Sequence, residues 1–150
     1  MGTTTKTLYD TDFVEWTARM AELVRAGRFD EVDLENLAEE IEDLGKRDRA
    51  SVASHLHRIL LHQIKRHIQP ERDGQSWRHS IASSRPKLKR KIGDSPSLRR
   101  FLNNELDAIY QDAVSAALFE TGITTADLPQ QCPFTLEQLL ERYNLDWPAK

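Results

Sequence analysis

Apolar residues recur along this chain every three or four positions over long stretches, and no alternating period-two pattern of useful length occurs. That spacing predicts helices and no sheet. From about Asp10 or Thr11 to Gly27, the residues Phe13, Trp16, Met20 and Leu23 mark one helical face, and Gly27 supplies a C-terminal stop. Asp33 is a suitable N-cap for the next helix, because its carboxylate can accept an unpaired backbone N–H one turn on. Leu34, Leu37, Ala38, Ile41 and Leu44 then fall within roughly 120° of arc at 100° per residue, the width of a core-facing stripe, so burial of that face is expected. Val52, Leu56, Ile59 and Gln63 return to nearly the same arc. The phase would allow one helix of about 35 residues, but glycine inside a helix costs roughly 1 kcal/mol relative to alanine, so a bend or short break is expected near Gly45.

Pro70 ends that helix and opens a turn running to Gly74. Ser76 can cap a helix carrying Trp77, Ile81, Leu88 and Ile92, with Trp77 expected in the core and a kink or restart at Arg85 or Pro86. Ser95 and Pro96 give a restart with serine as cap and proline at the first helical position. Leu98, Leu102, Leu106, Ile109, Ala113, Ala116 and Ala117 form a stripe running to Gly122, and the alanines suggest close helix approach. A short helix capped by Thr135 and bearing Leu136, Leu139 and Leu140 closes the chain.

A length of 150 residues suits one domain with one sizeable core, and residues 1–8 read as a disordered tail. No apolar run approaches the roughly 20 residues needed to cross a bilayer, and the first residues show no secretory signal. Cys132 is the one cysteine, which excludes an internal disulfide and fits a reducing, cytoplasmic setting. Net charge is only −3, yet the charges are segregated. Asp30 to Gly45 holds eight acids and no base, whereas Lys46 to Arg100 holds fifteen bases, four acids and all five histidines. Oppositely charged helices lying side by side would account for this, and a basic surface for phosphates or nucleic acid is the alternative.

Three sets of residues could carry chemistry. Glu35, Glu39 and Glu42 share one flank of the acidic helix, and grouped carboxylate oxygens can hold a hard cation or pair with a basic helix. His55 and His62 stand two turns apart on the core-facing arc, so a metal site built from Glu39, Glu42 and His62 across facing helices is one candidate. Neither Glu-x-x-His nor His-Glu-x-x-His occurs, which removes the usual di-iron and zinc-protease signatures. Arg85, Lys87, Arg90 and Lys91, with Arg99 and Arg100 beyond them, form the candidate nucleic-acid or phosphate surface. Only Trp77 lies near that run, so the aromatic interleaving of a single-strand platform is missing. No glycine-rich phosphate loop or nucleophile elbow is present.

The acidic segment from Asp33 to Gly45 resembles the bacterial family called domain of unknown function 29. So do the segments Leu60–Lys65, Gln69–Glu71, Ser76–Arg78, Pro96–Leu98, the stretch from Ala113 to Gly122, and Cys132–Thr135. The resemblance runs from about Tyr9 to Trp147 and implies a small helical protein, with no activity, substrate or cofactor attached. His62 stands at a recurring position of that pattern, and Pro86 departs from its usual basic helix.

The expected fold is therefore all-α, an irregular antiparallel bundle of four to five main helices with a short C-terminal helix packed across it. A protein interaction or adaptor module that associates with a protein partner or with itself is the leading functional expectation. A metal-dependent enzyme and a nucleic-acid binder follow. No membrane association and no cofactor are expected, a divalent metal being the one candidate.

Overall fold

The computed structural model describes residues 8–149. The tail expected over residues 1–8 falls, except for its last residue, outside them. Every regular element among the described residues is helical: α1 (Phe13–Arg25), α2 (Leu34–Ile68), α3 (Gln75–Asp94), α4 (Ser97–Thr121) and the short α5 (Leu136–Glu141). Single 3-10 turns at Phe29–Glu31 and Pro70–Arg72 join the first three. The chain divides into two compact units, Met1–Arg47 and Asp48–Lys150, and α2 contributes to both. Buried apolar side chains accordingly gather in two clusters, where the length had suggested one core.

The first unit is a helical hairpin. Asp12 caps α1 by accepting the Glu15 backbone N–H at 3.0 Å, one or two residues later than the sequence suggested. At the far end Gly27 takes φ 71°, the Arg28 N–H donates to the Leu23 carbonyl at 2.9 Å, and the Gly27 N–H donates to Val24 at 3.1 Å. This is the paired closure that a left-handed residue makes possible after a helix. Asp33 caps α2 as expected: its carboxylate accepts the Asn36 backbone N–H at 3.4 Å and the Asn36 side-chain amide at 2.7 Å. Trp16, Met20, Leu23 and Val32 are buried, with Leu37 half-buried against them.

The second unit packs the later part of α2 with α3, α4 and α5 around Leu56, Ile59, Leu60, Ile64, Ile81, Leu88, Leu102 and Tyr110. Ala113 and Ala117 are fully buried, as small residues at a close helix approach should be. Thr135 and Gln138 form a reciprocal capping box on α5, at 3.1 and 2.9 Å, and so present Leu136, Leu139 and Leu140 to the core.

Several expectations are corrected. Helix α2 runs unbroken through Gly45, since one glycine costs less than ending a helix whose later turns are buried. Helix α3 likewise runs through Pro86: Ala82, whose carbonyl loses its donor, is exposed together with the proline, so water can satisfy it. Gly74, not Ser76, precedes the start of α3, and α4 begins at Ser97 with Pro96 before it. Trp77 is half-buried and not part of the core cluster. The largest correction concerns the stripe at the start of α2: Leu34 is 63%, Ile41 60% and Leu44 60% exposed, and Ala38 is also exposed.

Candidate functional site: an uncovered groove on the helical hairpin

The exposed stripe has its counterpart across the hairpin. Trp16, Met20, Ala21 and Val24 of α1 face Leu37, Ile41 and Leu44 of α2 along an open groove of about 470 Å³. Phe13 and Thr17 extend the α1 wall, and Glu40 and Arg47 are the charged residues lining it. An amphipathic helix normally buries such a stripe because each apolar side chain left in water forgoes about 1.5–3 kcal/mol. Of the nine large hydrophobic side chains exposed among the described residues, seven lie between Phe13 and Leu44. Four of these seven, Phe13, Val24, Ile41 and Leu44, line the one groove, which separates it from the scattered apolar exposure of ordinary surfaces.

An aromatic cluster borders the groove. Phe13 stacks on Trp16 at 5.7 Å between ring centroids, and Tyr9 meets both edge-on at 5.9 and 4.8 Å. The Tyr9 hydroxyl donates to Glu40 Oε1 at 2.7 Å, and this hydrogen bond to a carboxylate, more than burial, pushes the phenol up to about 12. Glu40 retains acceptor capacity, since a carboxylate offers about four lone-pair sites. Arg47 makes no hydrogen bond or ion pair with the described residues, whereas its neighbour Lys46 lies 3.7 Å from Asp43.

The metal candidates are not gathered. Glu39 and Glu42 are exposed in the first unit, and His62 is a half-buried residue of the second. Among the described residues no three His, Cys, Asp or Glu side chains are grouped to hold an ion. His55 and His62 each bury an Nδ1 that has no hydrogen-bond partner among the described residues, and burial is the main cause lowering both imidazoles.

The basic run is divided between one structural contact, surface ion pairs and side chains unpaired among the described residues. Arg85 donates to the Leu139 carbonyl at 2.9 Å and to the Arg142 carbonyl, closing the C-terminal end of α5, where orphan carbonyls and the helix dipole favour a cation. Lys91 pairs with Asp48 at 3.0 Å, Lys89 with Glu141 at 2.8 Å, and Arg99 with Glu137 at 2.5 Å. Lys87, Arg90 and Arg100 remain on the surface.

Sequence reasoning missed a polar network in the second unit. Lys65, nearly buried, pairs with Glu120 and lies 5.6 Å over the Trp77 ring. Asp73 accepts from Arg66 at 3.1 Å and from Arg78 at 3.0 Å, with Arg78 the main cause holding its carboxyl below the usual range. Gln63 and Arg66 donate to the Tyr143 carbonyl at 3.1 and 3.2 Å. Lys65, Trp77, Arg78 and Glu120 all lie in segments that carried the resemblance, and that shared origin was the available signal. Beside this network His67 stacks on Trp147 at 4.3 Å, bordering a cleft of about 380 Å³.

An all-helical chain with a capped hairpin and a separately packed helical unit defines a class by architecture and not by chemistry. The family model "Domain of unknown function DUF29" matches residues 8–145, and the chain belongs to that family. An alpha-helical protein of unknown function from Rhodospirillum rubrum, solved by crystallography, shares 29% identity and a TM-score of 0.64, with 89% of each chain covered. No curated protein matches.

Proposed function

We propose that this protein is a cytoplasmic protein–protein interaction module, and that the hairpin groove is the surface through which it docks. The supporting observation is that Ile41 and Leu44, which with Leu37 have the spacing of a buried helical face, line the groove and are exposed. A partner helix laid between α1 and α2 would bury these residues by the ordinary helix-in-groove mode, anchored at positions three, four and seven apart. The aromatic wall at Phe13 and Trp16, with Glu40 and Arg47 as the charged residues of the lining, would fix its placement.

No helix among the described residues is long and apolar enough to cross a membrane. A membrane-surface role is disfavoured because carboxylates at Glu39, Glu42 and Asp43 flank the apolar stripe and would repel anionic headgroups. A photo-crosslinking side chain placed at Thr17 in the native host should give discrete covalent adducts, and Ile41→Glu should abolish them. Absence of any adduct, or adducts indifferent to Ile41→Glu, would overturn the reading.

A further inference from the structure

We infer that the occupant of the groove is a second copy of the same hairpin, laid antiparallel about a two-fold axis so that two α1–α2 pairs complete a four-helix bundle. This rests on the interaction reading and adds the partner and the register. An isologous interface requires one surface to complement itself under a two-fold rotation. The groove meets that requirement in both its apolar and its charged residues.

Along α2 the exposed apolar positions Ile41 and Leu44 lie one turn apart, with Glu40 just before the pair and Arg47 one turn after it. An antiparallel copy that sets Ile41 against Leu44 of the second chain repeats the contact with the roles exchanged. The same register brings Glu40 toward Arg47 of the second chain, twice over, at the flanking positions where long charged side chains meet across a helix pair. A parallel copy would oppose Glu40 to Glu40 and Arg47 to Arg47. Within one chain the two are seven residues apart, about 10 Å of helix rise, so they do not satisfy each other. Arg47 is a cation lining a mainly apolar groove without an ion-pair partner among the described residues, and Glu40 has acceptor sites beyond the one Tyr9 uses. Burying the groove without a carboxylate for Arg47 would carry a desolvation penalty, which selects an occupant with an acid at that position.

Charge reversal with mixing tests the register. By sedimentation, full-length protein should dimerise, and Glu40→Arg or Arg47→Glu alone should weaken the dimer about tenfold or more by opposing like charges. Mixing the two variants should restore association as a heterodimer, since one chain then carries two arginines and the other two glutamates. Loss of the Tyr9 contact in Glu40→Arg cannot produce that rescue. In a Cys132→Ser background, Ile41→Cys mixed with Leu44→Cys should form the crossed disulfide in preference to either self-paired one. A wild-type monomer at all soluble concentrations would overturn the second-copy inference while leaving crosslinks to another protein to support the interaction reading. A dimer indifferent to charge reversal, or no rescue on mixing, would overturn the register.

Discussion

Asp73 shows how one carboxylate can organise a junction. It follows the turn after α2, and its two oxygens tie Arg66 at the end of that helix to Arg78 at the start of α3. Because its folded pKa is depressed, its stabilising effect is present above the unfolded value of about 4 and is lost as pH falls through the folded value. Asp73→Asn should therefore cost roughly 1–3 kcal/mol at neutral pH, the worth of hydrogen bonds to a charged group. It should also flatten the stability profile below about pH 4, measured by urea denaturation across pH. Its place after a proline turn was legible as loop chemistry. That the loop places it between two arginines was not, because Arg66 and Arg78 are twelve residues apart and only the chain reversal brings both to one carboxylate.

Helix periodicity was readable nearly everywhere, whereas helix continuity was not. Gly45 and Pro86 both carry local penalties that predict interruption, and both sit inside unbroken helices. Local propensity of about 1 kcal/mol at a glycine is overridden when the turns beyond it are buried, as Leu56, Ile59 and Leu60 are. The proline is tolerated because the carbonyl it orphans faces water, yet the missing hydrogen bond persists as a cost. Pro86→Ala should accordingly raise stability, by up to about 3 kcal/mol, with added helicity by circular dichroism and a higher melting temperature. An unchanged or lower melting temperature would mean that Pro86 serves the fold in a way these contacts do not show.

Taken as a molecule, the protein carries two kinds of apolar stripe that look alike in sequence and differ in use. Leu102 is fully buried in the second unit, whereas Ile41, equally regular in spacing, is 60% exposed. Leu102→Ala should cost about 2–5 kcal/mol through lost contacts and a residual cavity. Ile41→Ser, in dilute protein kept below any self-association, should stay within about 0.5 kcal/mol, as exposed substitutions do. Equal destabilisation in paired denaturant titrations would show that the stripe belongs to the folding core and remove the basis for a docking face. Glu39 stands exposed on the flank of α2, and the groove beside it was missed, because periodicity says that a face is apolar and not what covers it.

Spacing, capping residues and turn signals already specify the all-helical class, the Asp33 and Thr135 caps and the Gly27 stop, since each arises from interactions within one or two turns. Which stripes meet partners depends on how distant segments pack, and short-range pattern carries no information about that. The network joining Lys65, Glu120 and Trp77, the use of Arg85 to close α5, and the groove left open between Trp16 and Ile41 are all of this second kind.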